Sequence, residues 1–236
     1  MNKREEDKNM TEKKTREGSL ERKEPSYMDS VYKAEGCLGE AAPKYLTDAE
    51  ENRKYTIEDY YAFDDDIRRE LIDGKFYVME APSVKHQVIL GELFVLFREC
   101  AELHDQKCRV LFSPCDVQLD RDMYTMVQPD LFIVCDREED LDRCVHGAPD
   151  LAVEIMSPSS RSRDSVLKLN KYMRAGVREY WLVDPQNETV LVYLRDENGN
   201  GEGRYHSYSF RDRIPVAISD GMCEVDFSAV ARAIGT

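Results

Sequence analysis

Apolar and polar positions alternate most clearly in PDLAVEIM, residues 149–156. Leu151, Val153 and Ile155 fall on one face of a strand, and Asp150, Ala152, Glu154 and Met156 on the other. Residues 126–134, MVQPDLFIV, form a second strand-like run in which Asp130 shares a face with Phe132 and Val134. If these two strands are neighbours, Asp130 and Glu154 lie side by side. Residues 163–175 follow as a helix that stops at Gly176, a residue suited to the left-handed conformation of helix ends. Residues 179–183 predict a further strand, closed by Asp184-Pro185.

The rest of the chain supplies a frame for these elements. Residues 56–61 predict a short helix capped by Thr56. The runs 69–72 and 75–79 flank Asp73-Gly74, a strong hairpin signal. Ser83 caps a long amphipathic helix whose apolar positions, Val88, Ile89, Leu93, Leu96 and Phe97, keep helical spacing. Residues 109–112 and 115–119 predict short strands. Residues 189–195 and 205–210 predict a hairpin around Asn198-Gly199-Asn200-Gly201, and a short strand from Ile214 and a terminal helix over 227–233 finish the chain. This order predicts a mixed α/β domain with one central sheet and helices on its faces.

Composition divides the chain. Residues 1–44 are rich in Lys, Glu, Arg and Ser and predict a disordered charged tail, with 45–236 as a single folded domain. Ten basic and ten acidic side chains cancel in the tail, so the whole net charge of −14 falls on the folded part. That balance argues against a general nucleic-acid binder while leaving room for a local basic groove. No apolar run is long enough to span a membrane, and the N-terminus lacks the apolar core of a signal peptide, so a cytoplasmic location is expected. The seven cysteines include no C-x-x-C pair and the four histidines are scattered; a zinc site or disulfide framework is not expected, and the cysteines read as reduced, partly buried thiols.

The chemistry lies in the acidic residues inside apolar strands. A buried carboxylate is costly unless it is paired or binds a metal. The helix after Glu154 turns back over the sheet, and Lys168 lies about six residues into it, roughly 9 Å along its axis. That distance equals nearly three strand residues, which sets Lys168 level with Val153–Glu154. Lys171 and Tyr172 follow one turn on, on the same helix face. Two carboxylates and an ammonium suit phosphodiester hydrolysis: Asp130 and Glu154 hold Mg²⁺ or Mn²⁺ by oxygen ligation, and the lysine orients or deprotonates a water or stabilises developing charge. Asp116 points toward the same site. Asp73, Asp150 and Asp184 read as structural residues, and Arg161 and Arg163 as either phosphate contacts or a solvated pair.

PDLFIVCD, GAPDLAVEIMSPSS, a helix carrying R-D-x-x-x-K, and GVREYWLVDP together resemble the Uma2 family of restriction-endonuclease-like proteins over about residues 55–195. Glu70-Leu71-Ile72-Asp73-Gly74 and His86 also resemble that family's upstream motifs. The resemblance implies the PD-(D/E)XK nuclease fold, a central mixed β-sheet flanked by α-helices. It implies Asp130 and Glu154 as metal carboxylates, Lys168 as the lysine and Glu70 as the upstream acid. Met156 stands where the superfamily pattern has lysine, so the lysine is expected on the helix, at Lys168 or Lys171. The expected activity is metal-dependent cleavage of DNA. Alternatives are a catalytically inactive binding module on the same scaffold and a hydrolase of another phosphoester. Cutting both strands with one centre per chain calls for a homodimer.

Overall fold

A computed structural model describes residues 53–103, 108–120, 122–135, 143–157, 163–196 and 203–235, without the side chains of 103 and 163–165. The tail 1–44, Arg161, Cys37 and the Asn198–Gly201 turn lie outside the described residues.

Local chemistry places the first elements. Helix α1 (Ile57–Ala62) opens with a capping box in which Thr56 accepts from Asp59 N–H and the Asp59 carboxylate takes the Thr56 N–H. Strands β1 (Arg69–Ile72) and β2 (Lys75–Val78) form the expected hairpin, with Asp73 (φ 52°) and Gly74 (φ 83°) both left-handed at its turn. Helix α2 (Val84–Leu103) follows, its Ser83 hydroxyl accepting from His86 N–H at 3.2 Å.

The central sheet has the order β10-β9-β8-β7-β5-β3. Its strands are β3 (Cys108–Phe112), β5 (Leu131–Cys135), β7 (Leu151–Ile155), β8 (Glu179–Asp184), β9 (Thr189–Leu194) and β10 (Arg204–Ser209). Strands β7 and β8 are parallel and every other pair is antiparallel, so the sheet is mixed. The β7–β8 crossover carries a π-helical turn (Arg163–Lys168) and helix α3 (Leu169–Ala175), which Gly176 ends at φ 110°. Two short pairs lie outside this sheet: β4 (Val117–Gln118) with β6 (Val145–His146), and β11 (Arg213–Pro215) with β12 (Glu224–Asp226). Helix α4 (Phe227–Ile234) closes the chain, capped by Asp226. No helix of the described residues is long and apolar enough to cross a membrane.

Alternation along the strands divides the core in two. Leu131, Ile133, Leu151, Val153, Ile155 and Trp181 pack with Ile89, Leu93 and Phe97 of α2 and with Phe227 of α4. Phe132, Val134, Ala152, Tyr180 and Leu182 pack on the other side with Tyr172 of α3. Because both faces are covered, β7 is buried at every position, and Glu154 is carried into the interior by the same alternation that buries Ala152.

Two readings need correction. The strand expected over 126–134 begins only at Leu131: Met126 and Val127 instead bridge to Leu71 and Val117, and Pro129, lacking an N–H, separates the two pairings. The cysteines are not all thiols. Cys100 is joined to Cys223, and Cys108 to Cys135, its direct partner in the β3–β5 register; among the described residues Cys115 and Cys144 stand outside these disulfides. These partners lie 123 and 27 residues apart, so only the folded register brings them together, and spacing along the chain carries no sign of it.

The Phe97 ring meets Trp181 edge-on at 5.1 Å with no exposure to solvent. Phe97→Ala should lower the unfolding free energy by about 3–5 kcal/mol in urea denaturation, with the denaturant slope little changed.

Candidate active site

Lys168 stands at the last position of the π-helical turn and is 1% exposed. Its Nζ lies 2.8 Å from Glu154 Oε1 and 2.8 Å from Glu70 Oε1. Glu70 is fully buried and Glu154 is 3% exposed, so three charged groups from β1, β7 and the crossover meet out of water. Tyr172, one turn further along, donates its hydroxyl to Glu154 Oε1 at 2.7 Å. Burial, and then the charges of Glu154 and Glu70, push that hydroxyl well above its ordinary range, so it remains a donor. Gln128 N–H donates to Glu70 Oε1 at 2.9 Å, while Glu70 Oε2 is buried with no hydrogen-bond partner.

Asp130 occupies a bend just before β5, opposite Glu154 in the continued β5–β7 register. Its carboxylate turns to other partners. Oδ2 accepts from Ile155 N–H at 2.8 Å and lies 3.1 Å from His86 Nε2, on the first turn of α2. Oδ1 accepts no hydrogen bond from the described residues. The strand neighbours expected to bring Asp130 and Glu154 together are therefore present, but neither side-chain bond of Asp130 goes to Lys168. The strand and helix rise arithmetic that set Lys168 level with Glu154 agrees with the observed contact, although a π turn replaces the first α-helical turns.

The remaining candidates separate by their partners. Lys171 pairs with Asp73 and Asp120, and those carboxylates raise its pKa against the opposing effect of burial. Asp116 accepts from Tyr60 OH and Gln128 Nε2, each at 2.8 Å, which makes it part of a hydrogen-bond network. Asp150 takes Cys135 N–H and Arg178, and Asp184 takes the N–H groups of Gln186 and Asn187, both structural as expected. The side chain of Arg163 lies outside the described residues.

Sequence reasoning missed Gln128 and Arg68. Gln128 is 8% exposed and links Glu70, Asp116, Tyr60 and Arg68. The one signal for Arg68 was its place just before the hairpin strand, two residues before Glu70. A separate cavity of about 570 Å³, lined by residues including Tyr61, Gln118, Arg143, Cys144 and His146, shares no lining residue with the Lys168 cluster.

A mixed sheet covered by helices, with acidic residues on two adjoining elements and a lysine on the following helix, defines a restriction-endonuclease-like α/β protein. The Uma2 family model, described as "Putative restriction endonuclease", matches residues 57–220, and the chain belongs to that family. The fold is shared with the crystal structure of a putative nuclease belonging to DUF820 from Anabaena variabilis, at a TM-score of 0.61 and 19% identity, covering 76% of this chain and 98% of that one. An uncharacterized protein of Synechocystis sp., slr1290, is 28% identical over 167 residues, 69% of this chain and 85% of its own length.

Removing the ammonium would leave two buried carboxylates facing each other. Lys168→Met should cost about 3–5 kcal/mol of stability. Lys171→Met, whose partner Asp73 is largely exposed, should cost about 1 kcal/mol or less. Parallel urea melts of the two variants check the contrast.

Proposed function

We propose that the chain is a metal-dependent DNA endonuclease whose centre is built from Glu70, Asp130, Glu154 and Lys168. The observation that carries this reading is the Lys168 ammonium buried between Glu70 and Glu154. A purely structural lysine on a surface crossover has no need of two interior carboxylates. At their ordinary charges the three groups sum to −1, an excess in a dry site that favours a cation.

The donor set fits a hard divalent ion. Asp130 Oδ1 and Glu70 Oε2 are oxygens without a hydrogen-bond partner among the described residues, and Mg²⁺ is commonly held by one or two carboxylates with waters and substrate phosphate. Asp130 and Glu154 would hold Mg²⁺ or Mn²⁺, with Glu70 beside them. When bound, the ion would supply Lewis-acid activation of water and neutralisation of phosphate charge. The chain's own residues do the positioning. His86 and Ile155 N–H fix Asp130, and Tyr172 fixes Glu154. Lys168, held level with Glu154, stabilises negative charge gathering on the attacked phosphate.

A second reading is a non-catalytic binding module on the same scaffold. It is favoured by the fact that, among the described residues, no three His, Cys, Asp or Glu side chains group closely enough to hold a metal. Hydrolysis of a different phosphoester is distinguished by product analysis on small phosphate substrates.

Plasmid nicking in Mg²⁺ or Mn²⁺ separates these readings. The nuclease reading expects nicking that chelation abolishes and that Glu154→Ala lowers on the order of a hundredfold or more. No nicking with either metal, or equal nicking by wild type and Glu154→Ala, would overturn it.

A further inference from the structure

Among the described residues, the lysines and Arg69 near the centre are matched by carboxylates, and Arg68 is not. Lys168 meets Glu70 and Glu154, Lys171 meets Asp73 and Asp120, and Arg69 pairs with Asp65 at 2.6 Å. Half-buried Arg68 makes no ion pair with a described residue. Its guanidinium is held by neutral groups: Nε and Nη2 donate to Gln128 Oε1 at 3.2 and 2.9 Å, and Nη2 also donates to Ser113 Oγ. Nη1 makes no hydrogen bond to a described residue.

Both anchors are fixed to the centre. The Gln128 amide is oriented by Nε2, which donates to Asp116 Oδ1 at 2.8 Å and to Tyr60 OH at 3.1 Å, so Oε1 faces Arg68. The same residue's N–H holds Glu70 Oε1, and it precedes Asp130 by two positions. Ser113 N–H donates to the Asp130 carbonyl at 3.0 Å. Arg68 directly precedes β1, two residues before Glu70, and its carbonyl accepts Met79 N–H at 2.9 Å, which continues the β1–β2 pairing. A full positive charge is thus anchored beside the corner where Glu70 and Asp130 are held, without a direct ion pair to any described residue.

We propose that Arg68 is a phosphate-binding residue of this centre, offering its Nη1 edge to a non-bridging oxygen of a DNA phosphate. The inference rests on the nuclease reading and deepens it. A planar guanidinium held along one edge presents the other in a fixed orientation suited to phosphate. It also answers a problem of charge. A chain with a net charge of −14 has little general attraction for DNA, so a phosphate has to be met by a local cation not engaged in an ion pair.

The test uses the full chain as wild type, Arg68→Ala, Arg68→Gln and Arg68→Lys. Binding to a short labelled DNA duplex is measured by fluorescence anisotropy over a salt series, with Ca²⁺ in place of Mg²⁺, alongside plasmid nicking in Mg²⁺. Arg68→Ala should bind about tenfold more weakly, with the slope of log K against log salt shallower by about 0.9. Arg68→Gln, which keeps polar contact with Gln128 and Ser113, should lose the same slope, and Arg68→Lys should retain it. A merely structural role would leave the slope unchanged in every variant, and that result, with a wild type that binds and nicks, overturns the assignment of Arg68 alone. A wild type that neither binds nor nicks overturns the nuclease reading and this inference with it.

Discussion

The Lys168 ammonium, enclosed by Glu70 and Glu154, is the contact on which the arrangement depends. Taking such ions out of water is expensive, and the attraction between them offsets that cost only when geometry and hydrogen bonding are good. Here both ammonium–carboxylate distances are 2.8 Å, and Tyr172 and Gln128 N–H satisfy further lone pairs. The triad also ties three distant parts of the chain together. The hairpin brings Glu70, the central strand Glu154, and the crossover Lys168, so the site forms only when all three have docked.

The sheet makes this possible by burying both of its faces. On β7 one side meets α2 and α4 and the other meets α3, so every position is interior. An acid placed on such a strand cannot reach solvent and has to find partners inside. The parallel β7–β8 step then requires a crossover over the sheet, and that crossover is the element bearing Lys168 and Tyr172. Site and topology are consequences of the same connection.

Much of this was legible from the residues. The face assignment of Leu151, Val153 and Ile155 against Glu154, the Asp73-Gly74 hairpin and the Gly176 stop each follow from local rules that tertiary packing reinforces. The level of Lys168 was legible too, because strand and helix rises are nearly constant. What was not legible depends on contacts between distant segments. The turn of Asp130 toward His86, the cross-strand meeting of Cys108 and Cys135, and the Gln128 network are set by register and docking, which no periodicity records. The π-helical turn was hidden for a similar reason: apolar spacing over one turn does not distinguish it from an α-helix.

On the proposed nuclease reading, Asp130 and Glu154 hold a divalent cation beside Lys168. Titrating Mn²⁺ into the full chain by calorimetry, beside Asp130→Asn, tests it most directly, since Asp130 makes no bond to Lys168 and its neutralisation leaves the buried triad intact. Wild type should bind Mn²⁺ and Asp130→Asn should not, with both proteins equally folded. Absence of binding to wild type, or equal binding by both proteins, would contradict it.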